Sequence, residues 1–247
     1  MFEPSATTAR RGAPAPPLLA GGMADALPEP PRFPGDPPRD CPLCPRLVAH
    51  RAALRARAPG WFNGAVPSFG DPEAWLAIVG LAPGERGANR TGRPFTGDFA
   101  GELLFGTLLS LGLAEGCYRA AADDGLRLIG CVITNAVHCL PPGNRPAPDE
   151  VARCRPHLAA VLGGLARLEV VLALGRIAHA SILGVEGVSS ARMPFAHAAV
   201  HRLPSGRVLV SSYHCSRYNQ NIGRLTPDMF RAAVALALAQ RSSARRR

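Results

Sequence analysis

The chain has 247 residues, a formal net charge of +10 and a sequence isoelectric point of about 10.2. A balance this basic points to a polyanionic partner, namely nucleic acid, acidic lipid or acidic protein. No apolar run reaches the roughly 18 to 20 residues that span a bilayer, and the prolines after Arg10 and Arg11 do not resemble a secretory signal. We therefore expect a cytoplasmic protein without a membrane partner, take it to be a monomer, and expect its seven cysteines to be reduced.

The composition divides the chain into three parts. Residues 1–38 are rich in proline and show no periodicity, so they are predicted to be a disordered arm. Residues 39–241 are predicted to form one folded domain, because their length suits a single α/β core. Residues 242–247 are a short basic tail that is also predicted to be disordered.

Within the domain, four predicted strands each lead into a loop and then a helix. After a basic helix over 47–58, the apolar runs with the composition of strands are 75–79, 126–137, 169–174 and 207–212. The helices that follow begin near Glu102, Pro148, Gly175 and Pro227, and the second should bend or restart at Pro156. This alternation predicts an α/β domain with a mainly parallel four-stranded sheet covered by helices on both faces. The loops after the first, second and fourth strands should meet at one sheet edge and form the ligand pocket.

The loop after the first strand has an unusual composition and reads GLAPGERGANRTGRPF from Gly80 to Phe95. Its glycines would let the backbone approach a ligand closely, and its three arginines favour an anionic partner nearby. Neither GxxxxGK[ST] nor a GxGxxG after the strand is present, so the two usual phosphate loops are excluded. Glycine content alone is equally consistent with an ordinary surface loop.

Four of the cysteines have a spacing that suggests a metal site. Cys41 and Cys44 form a CxxC pair, and Cys139 and Cys154 follow after the second strand. Four thiols within reach of one point fit an all-cysteine zinc site or an iron–sulfur cluster. A redox CxxC would be expected to open a helix after a strand, which is not the context here. Spacing alone therefore favours a metal without identifying it.

Three stretches, in this order and beside those four cysteines, resemble the iron–sulfur uracil-DNA glycosylases, most closely their family 5 or type B branch. They read GLAPGERGANRTGRPFTGD from Gly80, NAVHCLPPGNRP from Asn135 and HCSRYNQNIGRLT from His214. The resemblance covers roughly residues 41 to 240 and implies a uracil-glycosylase domain with the three-layer α/β/α fold of that family. It also implies a [4Fe-4S] cluster bound by Cys41, Cys44, Cys139 and Cys154.

The activity that this resemblance implies is hydrolysis of the N-glycosidic bond of uracil in DNA, which leaves an abasic site. Other deaminated bases, such as hypoxanthine and xanthine, are further candidate substrates. The target base must first be flipped out of the stack. The expected base-binding residues are Gly80, Ala82, Gly84, Phe95, Asn135 and His214. Phe95 would stack on the base, Asn135 would pair with its O4/N3 edge, and the resemblance implies that His214 donates a hydrogen bond to O2.

The group that activates the water is less apparent, because Leu81 and Ala82 follow Gly80 where other branches carry a carboxylate or another polar group. Asn135 and Asn89 are the candidates for positioning the water, and Asp98 is a carboxylate that could instead cap the next helix. In the loop after His214, Tyr218 and Asn219 are expected to fill the space left by the flipped base. Phosphate contacts are expected from Arg93, Arg217 and Arg224.

Two alternative functions remain open from the residues alone. The basic charge and the cysteines also fit a non-catalytic nucleic-acid-binding protein with a four-cysteine metal site, and the CxxC pair fits a redox protein. Structural roles compete as well, since Phe95 could plug the core and Asn135 could cap a strand end. The third motif reads His214-Cys215-Ser216, where other branches usually have His-Pro-Ser.

Overall fold

The computed structural model describes residues 32–241, and the predicted tail and most of the predicted arm lie outside this range. The helices are α1 (Pro45–Arg57), α2 (Ala88–Thr91), α3 (Phe99–Ser110), α4 (Pro148–Gly164), α5 (Arg176–Val185), α6 (Arg217–Asn221) and α7 (Pro227–Gln240). The strands are β1 (Phe69–Gly70), β2 (Leu76–Gly80), β3 (Ala114–Glu115), β4 (Arg127–Leu128), β5 (Cys131–Asn135), β6 (Val170–Leu174), β7 (Val200–Arg202) and β8 (Val208–Ser212).

The central sheet has the strand order β1-β5-β2-β6-β8-β7. Its four inner strands, β5, β2, β6 and β8, are parallel, which confirms the predicted sheet. Two short antiparallel strands extend it at the edges, β1 beside β5 and β7 beside β8. They were missed because runs of two and three residues are too short to show a period of two.

Two apolar clusters hold helices against opposite faces of this sheet, as expected for the three-layer α/β/α fold. Alternate residues of a strand point to opposite faces, so Leu76 and Ile78 of β2 pack with α3 and α7. Ala77 and Val79, from the same strand, pack with α4 and α5. All five residues of each inner strand are buried, which is typical of a parallel sheet covered on both sides.

The boundaries of several elements differ from the predictions. The run 126–137 is divided into β4, which pairs with β3 in a separate two-stranded sheet, and β5 of the central sheet. Helix α4 continues through Pro156 without the expected restart. Residues 32–38, which the sequence assigned to the arm, contact the domain. Phe33 packs on one apolar cluster, and the Asp36 carboxylate accepts hydrogen bonds from the Ser68 hydroxyl at 2.7 Å and its N–H at 2.9 Å.

Among the residues that the structure describes, no helix combines the length and the apolar character needed to cross a bilayer.

Candidate active site

A cavity of about 690 Å³ opens at the carboxyl edge of the sheet. The strand register explains its position, because Gly80 at the end of β2 pairs with Asn135 at the end of β5. The loops that leave these strands and β8 form the walls, together with the first turn of α3. The lining residues include Leu81 to Ala88, Phe95, Asp98 to Ala100, Asn135, Asn144, His214, Ser216 and Arg217. Phe95, Asn135 and His214 therefore face one cavity.

The closest packing under the cavity is between Gly80, Asn135 and Phe95. A Cβ at Gly80 would lie 2.5 Å from Asn135 Oδ1 and 2.7 Å from the Phe95 ring. Gly80 does not line the cavity itself, so its expected base contact is replaced by a different role. Because it lacks a side chain, the amide and the ring can meet over the end of β2. Asn135 is only 2% exposed, and its Oδ1 has no hydrogen-bond partner among the described residues.

Phe95 is held in a conformation that bulky residues rarely adopt. Its φ is +55°, in the left-handed region, which costs on the order of 1–3 kcal/mol and is characteristic of functional sites. The Tyr118 hydroxyl donates a hydrogen bond to the Phe95 carbonyl at 3.3 Å and accepts one from the Gly97 N–H at 3.2 Å. These bonds hold the backbone around Phe95 in place, and the Phe95 ring lies at the wall of the cavity. The Phe95 and His214 ring centroids are 5.9 Å apart, with an angle of 25° between the planes.

His214 is half-buried at the wall of the cavity. Burial lowers the pKa of its side chain to about 4, since desolvation disfavours the charged form. The ring forms no hydrogen bond with another described residue, so its nitrogens are available to a ligand. Helix α6 holds the backbone of His214 in place, because Asn219 Nδ2 donates a hydrogen bond to the His214 carbonyl at 2.8 Å.

Asp98, which the sequence left open as a possible helix cap, is a carboxylate at the wall of the cavity. Its Oδ1 accepts a hydrogen bond from the Gly101 N–H at 3.0 Å and caps α3, as expected, but the side chain also lines the cavity. Burial raises its pKa. Its Oδ2 lies so close to the glycine loop that a Cβ at Gly87 would approach to 2.4 Å. The sequence did contain one indication that Asp98 belongs to the site, because it lies between Phe95 and the start of a helix.

Two predicted site residues lie elsewhere. Asn89, expected to position water, is 2% exposed and does not line the cavity. Its Nδ2 donates to Asn63 Oδ1 at 2.9 Å, and its N–H donates to the Gly84 carbonyl at 3.0 Å. Asn89 therefore holds the loop in shape. Ala82 and Gly84 do line the cavity, as predicted.

Arg93, expected to contact a phosphate, is 4% exposed and forms a bidentate ion pair with Asp124, both oxygens at 2.8 Å. Because its N–H groups are satisfied inside the protein, the predicted DNA contact is wrong.

The loop after His214 presents the remaining predicted DNA-binding residues. Tyr218 is 68% exposed on α6, as a wedge requires. The Arg217 guanidinium lies 5.1 Å from the centroid of Phe99, and that of Arg224 lies 5.9 Å from the centroid of Tyr213. Asn219 is instead engaged with the His214 carbonyl, so its side chain stabilises the loop and is not free to act as the wedge.

The four candidate metal ligands line one second, apolar cavity beside α1. Two of them accept hydrogen bonds, Cys139 Sγ from Arg51 Nη1 at 3.8 Å and Cys154 Sγ from the His138 N–H at 3.5 Å. Within residues 32–241, no three His, Cys, Asp or Glu side chains are arranged to hold one metal ion. All four cysteines thus contribute to the lining of one cavity.

Comparison with known proteins agrees with this geometry. Residues 67–237 match the model of the uracil DNA glycosylase superfamily. A Type-5 uracil-DNA glycosylase of Thermus thermophilus is 47% identical over 196 residues, which are 77% of this chain and 89% of that protein. Proteins of the same name from Pyrobaculum aerophilum and Mycobacterium leprae are 39% and 41% identical, over 81% and 80% of this chain and 88% and 91% of their own lengths. The chain therefore belongs to the uracil-DNA glycosylase superfamily.

Proposed function

We propose that the protein is a uracil-DNA glycosylase that hydrolyses the N-glycosidic bond of uracil in DNA and leaves an abasic site. The observation that carries the proposal is the meeting of Phe95, Asn135 and His214 in one cavity, with Asn135 Oδ1 unpartnered. Such a cavity suits a base that has been extruded from the duplex.

Base recognition rests on the Asn135 amide. Uracil presents an N3–H donor beside the O4 acceptor, and a buried amide offers the complementary acceptor and donor. Leaving Asn135 Oδ1 without a partner costs about 1–3 kcal/mol, which a base with this edge would recover. Hypoxanthine and xanthine carry the same N–H beside C=O, so we include them as candidate substrates. Cytosine and adenine present the reversed pattern, an acceptor beside a donor, which would require the amide to turn by 180°.

Bond cleavage leaves negative charge on the departing base, and His214 is placed to stabilise it. A neutral imidazole donates one N–H to the developing oxyanion at base O2 without needing a proton from solution. A preorganised donor of this kind contributes about 3 kcal/mol to transition-state stabilisation, by analogy with oxyanion holes. The backbone N–H groups of Ala82 and Gly84 are further donors on the same wall.

Asp98 replaces Asn89 as the group that orients the attacking water. It is a carboxylate at the cavity wall, and a raised pKa makes it a better general base than an ordinary aspartate when ionised. The transition state is like an oxocarbenium ion, which needs only a weak nucleophile, so positioning supplies much of the effect. Asn135 remains a second candidate for holding the water.

The donor set of the second cavity supports a [4Fe-4S] cluster on Cys41, Cys44, Cys139 and Cys154. When bound, the cluster would supply a structural cross-link between the segment before α1, the loop after β5 and helix α4. Arg51 and the His138 N–H would donate hydrogen bonds to two of its thiolates. The cavity is separate from the base pocket, and no step of base excision depends on it.

The DNA duplex is expected to lie across the carboxyl edge of the sheet. Tyr218 is proposed to fill the gap left by the extruded base, and Arg217 and Arg224 to contact phosphates. The monomeric state and the cytoplasmic location stay predictions.

A glycosylase assay tests the proposal. Cluster-replete protein is incubated with duplexes that contain uracil, hypoxanthine or xanthine, and abasic sites are then cleaved with alkali. Strand cleavage is expected at uracil, and its loss is expected in Asn135→Ala and His214→Ala, whereas His201→Ala, on the edge strand β7, should cleave normally. If wild-type protein binds the uracil duplex and produces no abasic sites, the non-catalytic nucleic-acid-binding alternative is favoured instead.

A further inference from the structure

The backbone of Phe95 is held by a residue from outside the loops that form the base pocket. Tyr118 belongs to the connection between β3 and β4 and does not line the pocket. Its hydroxyl donates a hydrogen bond to the Phe95 carbonyl at 3.3 Å and accepts one from the Gly97 N–H at 3.2 Å. One phenolic oxygen therefore bridges the peptide groups on either side of Thr96, and it does so both as donor and as acceptor.

The turn from Phe95 to Gly97 needs a bridge of this kind. Phe95 has a φ of +55° and Gly97 a φ of +90°, so both lie in the left-handed region. Glycine adopts this conformation readily, whereas a bulky residue is strained in it. A strained residue keeps its conformation only where its surroundings enforce it. Because the direction of a side chain follows from its backbone, the bridge also sets the direction of the Phe95 ring.

Tyr118 is itself fixed at its ring and at its backbone. Its ring centroid lies 4.7 Å from that of Phe105, which is fully buried. The N–H of the next residue, Arg119, donates to Asp124 Oδ2 at 2.9 Å, and the same carboxylate holds Arg93. Burial raises the pKa of the Tyr118 phenol above its ordinary value, so the hydroxyl keeps its proton and remains a donor.

The same junction touches the start of α3. A Cβ at Gly101 would overlap the Phe95 carbonyl oxygen and would lie 2.6 Å from the Tyr118 hydroxyl oxygen. The Gly101 N–H donates to Asp98 Oδ1 at 3.0 Å, and Asp98 lines the pocket. A shift of the Phe95 carbonyl would therefore displace the helix turn that Asp98 caps.

We propose that Tyr118 is a positioning residue for base excision and that it acts through the Phe95 ring. The inference rests on the proposed function and assigns a role to a side chain that lies outside the pocket. The hydroxyl fixes the plane on which the extruded base stacks, and with it the position of the base relative to Asn135 and His214. A small misplacement of the reacting group lowers the rate strongly. Loss of the hydroxyl should therefore slow bond cleavage and leave DNA affinity nearly unchanged.

Tyr118→Phe tests this role, because it removes the hydroxyl and keeps the ring that packs on Phe105. Single-turnover excision of uracil from a duplex gives the rate constant of cleavage. Binding to a duplex with one 2′-fluoro-deoxyuridine, which resists hydrolysis, gives the affinity. We expect a rate constant about tenfold lower than that of wild type and an affinity within about twofold. Hydrogen exchange should be faster at the Gly97 amide, which loses its acceptor.

The matched control is Ser110→Ala, at the last residue of α3. It also removes one hydroxyl that is hydrogen-bonded inside the domain, to the Thr107 carbonyl at 2.8 Å, and it should excise uracil at the wild-type rate.

A double variant tests whether the hydroxyl acts through the ring. Phe95→Leu keeps an apolar side chain but has no flat ring to orient. Adding Tyr118→Phe to it should therefore change the rate less than about twofold. A hydroxyl that only stabilised the domain would lower the rate by the same factor in both backgrounds, and that loss would follow the folded fraction as the temperature is raised.

The role of Tyr118 is overturned by a wild-type rate constant in the folded Tyr118→Phe variant, by unchanged exchange at Gly97, or by equal factors in the two backgrounds. Each of these results leaves the proposed function intact, provided that the wild-type protein excises uracil. A wild-type protein that excises no uracil would refute the proposed function and the role of Tyr118 together.

Discussion

The ion pair between Arg93 and Asp124 gives the sharpest test of the structure, because the sequence suggested a phosphate contact for Arg93. In the structure the guanidinium forms two hydrogen bonds to the carboxylate, and its Nε donates to Thr96 Oγ1 at 2.7 Å. It also lies over the rings of Phe69 and Phe105, at 5.0 and 5.6 Å from their centroids. The Arg93→Ala variant should therefore be less stable to unfolding than wild type, and its DNA affinity should be unchanged.

The expected loss of stability can be estimated from the Asp124 carboxylate, which would stay buried without its partner. Burial alone would raise the pKa of Asp124, but hydrogen bonds from Arg93 and from the N–H groups of Arg119 and Leu126 outweigh it and lower the pKa to about 2. Against an unfolded value of about 3.9, this difference corresponds to about 2.6 kcal/mol at neutral pH. Removing one partner of a buried pair typically costs about 3–5 kcal/mol, since the other charge is left uncompensated and the packing is lost as well.

The assay is thermal and urea unfolding of wild type and Arg93→Ala at pH 7, with DNA affinity measured on the same folded samples. A loss of about 3–5 kcal/mol would lower the melting temperature by roughly 6 to 20 °C for a domain of this size. The folded pKa of Asp124 lies below the unfolded one. Its contribution is therefore complete above about pH 4 and is lost as pH falls toward 2, so the two proteins should converge in acid. Unchanged stability together with weaker DNA binding would refute the buried pair.

Four further predictions concern the pocket and the cluster. His214→Ala should lower kcat by about 100-fold or more, and wild-type kcat/KM should show no limb from His214 between pH 6 and 8, because the pKa of the ring is about 4. Asp98→Asn keeps a good N-cap but should lower kcat about 100-fold. It should also abolish the fall in rate at low pH, because that fall reflects protonation of Asp98, whose pKa is raised by burial. Gly80→Ala should cost about 1–3 kcal/mol of stability and most activity, because its Cβ meets Asn135 and Phe95. Cys154→Ser should abolish the broad visible absorbance of the cluster and reduce solubility.

Two of these four variants have a matched control, and three have an opposing outcome that would contradict the structure. Gly106→Ala, in α3, places a Cβ where nothing lies within 4 Å and should leave activity unchanged, whereas normal turnover by Gly80→Ala would contradict the packing described here. Cys117→Ser removes an exposed thiol and should keep the absorbance, and an intact cluster in Cys154→Ser would refute the ligand set. If wild-type kcat/KM changed with pH near 6.5 and this change were absent in His214→Ala, His214 would titrate as an ordinary histidine, contrary to its lowered pKa.

The sheet and the position of the pocket were predictable, because both depend on periodic burial along the chain. Runs such as 76–80 and 131–135 are apolar throughout, and alternation with helices leaves a parallel sheet as the simple solution. Parallel strands bring their carboxyl ends to one edge, so Asn135 and the loop after Gly80 had to meet. His214, two residues beyond β8, follows by the same reasoning.

The roles of individual loop residues were not predictable, because they depend on partners far away in the sequence. Arg93 is buried against Asp124, which is in a connection that showed no clear pattern, and nothing near Arg93 indicates that pairing. Asn89 looked polar and available, but Asn63 from the loop after α1 accepts its amide hydrogen bond. The sequence indicated a helix cap for Asp98, and only the folded loop shows that the same residue also lines the cavity.

The register between β2 and β5 links the stability of the domain to the geometry of its pocket. Gly80 faces Asn135 because the four preceding residues of β2, 76–79, pair in register with residues 131–134 of β5. Every one of these residues is buried. A slip of one residue would turn each side chain to the opposite face of the sheet. The Asn135 amide, including its unpartnered Oδ1, would then no longer face the cavity. The burial of apolar side chains on both faces prevents that slip. The same contacts that stabilise the sheet therefore hold the amide opposite the one residue without a side chain, and this leaves room for the Phe95 ring and for an extruded base above it.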